Sequence, residues 1–258
     1  MQHITYEGEG TSGKMIIFIH QSSGSSAVWQ HQVTAPELQA HRLICLDMPG
    51  HGSAPQMESY SLPAMAAALQ ANIHAITGNA PYVLAALSIS CNFIAEIAPQ
   101  LRGCKGLFLT GAGLVGGTVT PANVMQPMEH GAVLFTEDPP ETALRAYLSA
   151  LTAVGNKAVI AGMAADYRRT DAAFRSGMAT SLGRGEWNDE IACVAGSGMP
   201  VALVFGAEEK VIDAGYTNAT PLHRHVQFIA GAGHLANIDQ PAAFNRMLRD
   251  FADRAFMG

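Results

Sequence analysis

Residues 81–92 read PYVLAALSISCN, an apolar run that ends on a serine set among small residues. Residues 83–87 have the composition of a strand buried on both faces, and the stretch from Ile89 onward, with Phe93 and IAEIA, has helical spacing. Ser88 therefore falls at a strand-to-helix junction, on a sharp turn that holds a side chain clear of the backbone and open to a substrate. The two backbones nearly touch at such a turn, so the positions two residues to either side must be small. Ala86 and Ser90 meet that demand, which makes the segment a variant of the G-x-S-x-G elbow. A serine opening a helix also serves as its cap, so Ser88 alone leaves capping and nucleophilic roles both open. Ser90 is the local rival, but its own flanks, Ser88 and Asn92, fit the elbow less well.

Two further segments bear on that choice. VALVFGAEEKVID (201–213) is a second buried strand, with Gly206 at its end and Glu208 and Glu209 just beyond. HVQFIAGAGHLANIDQPAAFNRMLRDF (225–251) gives a third strand, a glycine-rich turn carrying His234, and an amphipathic helix. Serine, acid and histidine thus occur in that chain order, each just past a strand. Parallel strands place such residues at one edge of one sheet, where open α/β sheets bind ligands. A serine hydroxyl is a poor nucleophile until a histidine takes its proton, and that histidine needs a carboxylate to fix its tautomer.

With these segments in place, the chain resembles the α/β-hydrolase superfamily over about residues 14–254. FIHQSSGSSAVW (18–29) matches the family's loop after its third strand, LDMPGHGSA (46–54) its D-x-P-G-x-G-x-S turn, and GAGHLANIDQPAAF (231–244) its histidine loop and following helix. The resemblance implies an α/β-hydrolase fold: a mostly parallel central sheet flanked by helices, with an inserted helical cap. It divides the chain into a core of residues 1–113 and 193–258 and a cap of residues 114–192. It implies Ser88 as nucleophile and His234 as general base, then general acid. Glu209, three residues after Gly206, stands where the family usually has aspartate and is chosen as the acid; Glu208 is read as exposed, and Asp213 ranks third. Some members draw the acid from the preceding strand, but TGAGLVGG (110–117) contains no carboxylate. The oxyanion hole is expected from the backbone N–H of Ile89 and one from the 21–23 loop, since backbone donors are preorganised. Gln21 replaces the glycine that commonly follows the histidine there, and Gln21 or Ser22 is a candidate side-chain donor. His20 and His51 are read as structural.

Composition narrows the partners. The 258 residues carry a net charge of −6, with no run of Lys or Arg, which argues against nucleic acid or an anionic membrane. Hydrophobic residues make up 48% and charged ones 14%, enough for a large core. No apolar run approaches the ~20 residues of a membrane span, and the N-terminus lacks the basic start and apolar stretch of a signal peptide. Cys45, Cys91, Cys104 and Cys193 show no metal or C-x-x-C spacing and read as reduced thiols, which fits a cytoplasmic protein. The expected partner is a small-molecule substrate, with no cofactor or metal, and the chain acting as a monomer or homodimer.

Strands are expected at 14–20, 42–47, 82–87, 105–110, 200–206 and 225–230, and helices near 26–39, 61–77, 90–100, 210–219 and 240–254. Residues 114–192 break the alternation, with helical stretches at 141–153, 157–166 and 171–181. Their apolar residues mostly pack, but some are expected to line a pocket; Tyr147 and Trp187 are the substrate-binding candidates. The glycines of GAGLVGG (111–117) lack a nucleotide-binding register and read as a hinge.

The first functional expectation is a serine hydrolase cleaving a carboxylic ester or lactone. The glutamate acid and cap layout are loosely similar to the N-acyl-homoserine lactonases, in which a cap tyrosine aids the carbonyl oxygen; Tyr147 falls in a comparable stretch. Carbon–carbon hydrolysis of an acidic diketone would require a basic residue in the pocket, such as Arg145, Arg168 or Arg169. A cofactor-free lyase or oxygenase would use His234 and its acid alone, and a small-molecule receptor would keep the triad without turnover. A dehalogenase or epoxide hydrolase would need a carboxylate where Ser88 stands.

Overall fold

The computed structural model describes residues 3–6 and 13–258; residues 1–2 and 7–12, part of the N-terminal segment in which no leader was read, lie outside the described residues. Alternating apolar runs and amphipathic stretches build a seven-stranded sheet in the order β1-β3-β2-β4-β5-β6-β7. The strands are β1 (His3–Tyr6), β2 (Met15–Ile19), β3 (Arg42–Leu46), β4 (Tyr82–Leu87), β5 (Cys104–Thr110), β6 (Val201–Gly206) and β7 (Val226–Ile229). β1 pairs antiparallel with β3 and was not anticipated; the other neighbours all pair parallel. β2, β4 and β6 are buried at every residue, as expected of parallel strands covered on both faces.

The helices follow from local chemistry. Ser61 caps the helix Leu62–Thr77 by accepting the Ala64 N–H, and Leu62, Met65, Ala66, Leu69 and Ile73 form its buried face. Three expected helices are altered. The 26–39 stretch is broken into short turns at Ser26–Trp29, Gln30–Val33 and Pro36–Leu38, because Pro36 has no N–H to continue the ladder. The helix after Ser88 stops at Ile97, with Pro99 in the 3-10 turn that follows. No helix starts at 210: the Val211 and Ile212 amides donate to the Glu209 carboxylate, and only a 3-10 segment, Ala214–Ala219, forms behind the cap of Asp213.

Between β5 and β6 the chain leaves the sheet and forms helices Glu141–Ala150, Lys157–Arg169, Ala172–Gly183 and Glu190–Gly196. Polar contacts tie this insertion to the loops beyond β2 and β3. Ser25 Oγ donates to Asp166 at 2.7 Å, Tyr60 Oη to Asp171 at 2.7 Å, and the Leu62 amide to Ser181 Oγ at 2.9 Å. The Arg175 guanidinium lies buried 4.0 Å above the Tyr167 ring and donates to Ser23 Oγ and the carbonyls of Tyr167 and Glu137. Arg145 and Arg168, by contrast, pair with Glu141, and Arg169 with Asp166, all on exposed helix surface.

Glu190, fully buried, accepts at one carboxylate oxygen from Asn92 Nδ2 at 2.7 Å and from the Val115 amide at 2.9 Å. Burial pushes its carboxyl up to about 8, against those two hydrogen bonds. A folded-state value above the unfolded one contributes stability that is full below the unfolded range and lost as pH rises through the folded value. Glu190→Gln keeps an accepting oxygen and carries no charge, so its melting temperature should gain on wild type between about pH 5 and about pH 9. Parallel melting profiles across that window would contradict this account.

Candidate functional site

The register of the sheet brings the chemistry to one edge. Ile19 of β2 stands beside Ala86 of β4, and Ala86 beside Leu109 of β5. The residues that follow, Gln21, Ser88 and Gly111, therefore emerge together at the carboxyl ends of three adjacent strands. Ser88 sits at φ +60° and ψ −129°, a conformation that L side chains rarely adopt. Such strain persists only where the surroundings enforce it, and it clusters at functional sites. Here the Ser88 amide donates to the Thr110 carbonyl at 2.8 Å, and Ser90 stitches the turn from below. The Ser90 hydroxyl accepts the Leu87 N–H at 3.0 Å and donates toward the carbonyls of Leu87 and Ile19. Fully buried, Ser90 is committed to backbone, whereas Ser88 remains partly exposed on the cavity wall.

His234 and Glu209 meet as a buried pair. His234 Nδ1 lies 2.8 Å from Glu209 Oε2, with the two side chains 2% and 5% exposed. Glu209 Oε1 accepts the Val211 amide at 2.8 Å and the Ile212 amide at 3.3 Å. Burial pushes the Glu209 carboxyl up, but the His234 ring and the two amides outweigh it and hold the group below its ordinary value. Glu209 is thus a carboxylate, and the His234 tautomer it selects carries the proton on Nδ1 and leaves Nε2 free as a base. Glu208 is exposed, and Asp213 caps the Ala214–Ala219 turn through the Gly215 amide.

Close backbone passages locate the histidine. A Cβ on Gly111 would stand 2.7 Å from the His234 ring, so the imidazole lies directly over the residue after Thr110, whose carbonyl holds Ser88. The histidine loop also crosses Gly206 so tightly that a side chain there would collide with the carbonyls of Ala232 and Gly233. Asp239 fastens that loop to the insertion by accepting the Gly233 and Ala153 amides, each at 2.8 Å.

The 21–23 loop supplies the opposite wall. Gln21 stands where the family commonly has glycine, but the positive φ of this loop falls on Ser23, at +52°. Ser23 is held by its amide donating to His51 Nε2 at 3.3 Å and by Arg175 on its hydroxyl at 3.2 Å. His51 Nδ1 bonds the Pro49 carbonyl, and His20 joins the Met48 amide to the Gln21 carbonyl. Both rings are neutral clamps: burial holds each below its ordinary value, His51 at about 3. The amides of Gln21, Ser22 and Ile89 donate to no partner among the described residues.

A cavity of about 380 Å³ opens over Ser88 and Ile89, walled by Val124, Met125, Phe135, Tyr147 and Leu182 of the insertion. Its size and apolar lining suit a small organic ligand. Tyr147 is buried at this wall, and its phenol makes no hydrogen bond among the described residues; burial pushes its ionisation upward. Trp187 packs half-buried against the core and does not line the cavity. Arg145, Arg168 and Arg169 do not reach it either. Asn92 lines it and was missed as a site residue; its spacing one turn beyond Ser88 on the same helix was the available signal. Arg175 was also missed, because an arginine in a polar helical stretch gives no sign of burial. All four cysteines are free. Among the described residues, no three His, Cys, Asp or Glu side chains form a metal-ligand group, and no helix is long and apolar enough to cross a membrane.

Comparison with known proteins agrees with this architecture. A solved structure of a mutant of the N-acyl homoserine lactonase AidH complexed with N-hexanoyl homoserine lactone superposes with a TM-score of 0.85, at 23% identity, covering 98% of this chain and 93% of that one. A thermophilic esterase from Thermogutta terrifontis matches with a TM-score of 0.75, at 16% identity, over 98% and 93% of the two chains. Among curated sequences, the dihydrolipoyllysine-residue acetyltransferase component of the acetoin cleaving system of Cupriavidus necator is 22% identical over 95% of this chain. This chain spans 65% of that relative's length. A sequence model of the alpha/beta hydrolase family matches residues 16–247, nearly the whole sheet and insertion, and the chain belongs to that family.

Proposed function

We propose that this protein hydrolyses a carboxylic ester or lactone of a small, largely apolar substrate through an acyl-enzyme on Ser88. The observation that carries the reading is the strained Ser88, facing an apolar cavity that Gly111 also lines, with the ring of the buried His234–Glu209 pair lying over Gly111. In the first step Ser88 Oγ attacks the carbonyl carbon while His234 Nε2 takes its proton. The tetrahedral oxyanion is received by the Ile89 amide and an amide of the Gln21–Ser22 loop. Collapse breaks the bond to the leaving oxygen, which takes the proton from His234. Water, deprotonated by the same nitrogen, then attacks the acyl carbon and releases the acid and free Ser88. The insertion acts as the cap, with Tyr147 on the wall of the Ser88 cavity.

Lactones are the favoured subclass, on the likeness to the AidH structure. The reading as a diketone hydrolase receives no support from the arginines first considered for it, since all three are engaged on exposed surface. A fluorophosphonate should form one adduct, located on Ser88 by peptide mass spectrometry and absent from Ser88→Ala. Folded protein that stays unlabelled would point instead to proton-transfer chemistry or to ligand sensing.

A further inference from the structure

Gln21 is the place where this chain departs from the family's usual glycine, and its side chain has an unusual setting. The residue is 5% exposed, and its carboxamide lies flat over Gly24, where a Cβ would come within 2.7 Å of Gln21 Cδ. Oε1 is buried without a hydrogen-bond partner, and neither end of the carboxamide is bonded among the described residues. A buried carboxamide oxygen without a partner is costly, whereas a methionine would fill the same space at no such cost.

What surrounds Gln21 indicates the missing partner. It borders a narrow neck of about 10 Å³, shared with Leu134 and Tyr147, both of which also line the Ser88 cavity. It also borders a second, outer cavity of about 380 Å³, whose lining includes Val28, His31, Val159, Met163 and Ile238. Gln21 and Met163 belong to both spaces, and a methionine side chain yields readily. The neck and outer cavity also lie toward the histidine loop. Leu151, on the neck, accepts the Leu235 amide, and Ile238 follows one turn later. Because His234 protonates the leaving oxygen, the leaving group must extend on that side.

We propose that Gln21 is a specificity determinant for the leaving group. Its carboxamide pairs with a hydroxyl or secondary amide carried by the departing alcohol, and the outer cavity takes the remainder of that arm. This rests on the ester or lactone hydrolysis proposed above. A group that both donates and accepts satisfies Oε1 and Nε2 together, which a methylene or an ether oxygen cannot do.

The test uses esters of one acid with leaving alcohols of equal length, bearing a hydroxyl, a secondary amide or a methylene at stepped positions. Wild type should favour the hydroxyl or amide ester at one position by about tenfold in kcat/KM. Gln21→Met should erase that ratio, and so should Gly24→Ala, which displaces the carboxamide without removing it. Reading the ratio within each variant cancels any general loss of rate. Where turnover is too slow, the same comparison is made as protection of Ser88 from phosphonylation by the three free alcohols. A ratio near one in wild type, or one that survives both substitutions, would overturn the role of Gln21 and leave ester hydrolysis standing. Wild type that neither labels at Ser88 nor cleaves any ester would overturn both.

Discussion

Ser88→Ala is expected to lower ester or lactone turnover by about 10⁴-fold or more while leaving the melting temperature close to wild type. The size follows from chemistry: without Oγ no acyl-enzyme forms, and what remains is orientation plus the oxyanion donors. The unchanged stability follows from the turn. Ser88 is held at φ +60° through its backbone, by the Thr110 carbonyl and the Ser90 stitching, and its hydroxyl bonds nothing among the described residues. Alanine at that φ is as strained as serine, so the fold keeps the strain and loses only the hydroxyl. Turnover kept within tenfold of wild type would remove Ser88 from the mechanism and favour chemistry by the His234–Glu209 pair alone. Ser90→Ala should give the opposite profile, because Ser90 joins β2 to the elbow and does not line the Ser88 cavity.

The second large effect separates two neighbouring acids. Glu209→Gln should reduce kcat by about 10⁴-fold, whereas Glu208→Gln should change it by no more than about twofold. The geometry fixes why an isosteric amide is so damaging. Glu209 Oε1 accepts two backbone amides, from Val211 and Ile212, so a glutamine must place its oxygen there. Its NH₂ then faces His234 Nδ1, where the carboxylate oxygen had been. Two donors cannot face each other, so the imidazole moves its proton to Nε2 and loses the lone pair that should deprotonate Ser88. Glu208, exposed one residue earlier, has no such link. The reverse ranking in a steady-state comparison would shift the acid by one residue.

The lowered Glu209 ionisation also carries a sign. A carboxyl held below its ordinary value stabilises the fold above the unfolded range, and that contribution is lost as pH falls through the folded value. Glu190, held above its ordinary value, acts in the opposite direction as pH rises above the unfolded carboxylate range. One buried acid therefore favours the fold at neutral pH, whereas the other weakens it progressively from about pH 5 to about pH 8. The difference lies in their partners: Glu209 faces an imidazole as well as two amides, while Glu190 has only neutral donors.

Much of this architecture was legible in the chain. Six strands of the sheet and the helix Leu62–Thr77 follow from apolar runs and from a period that buries Leu62, Met65, Leu69 and Ile73, because burial on a strand or helix face leaves a regular imprint on composition. The elbow was legible in Ala86 and Ser90, since close backbone approach excludes bulk whatever the rest of the molecule does. Local patterns misread the backbone wherever a side chain claimed it, as when Glu209 took the amides of Val211 and Ile212 and prevented a helix from starting at 210. β1 was missed because a four-residue edge strand is defined by its partner, Arg42–Leu46, and not by its own sequence.

By itself the sequence determined the fold, the chain order of Ser88, Glu209 and His234, and the carboxyl edge where they emerge. Tertiary structure alone decided where each neighbour points. It turned Glu209 inward and left Glu208 in solvent, gave Ser90 to the backbone, buried Arg175 against Ser23, and set Tyr147 but not Trp187 on the cavity wall. Periodicity is a property of one element, but these choices depend on how an element meets its neighbour across the fold. Such a meeting is fixed by packing between residues that lie far apart in the chain.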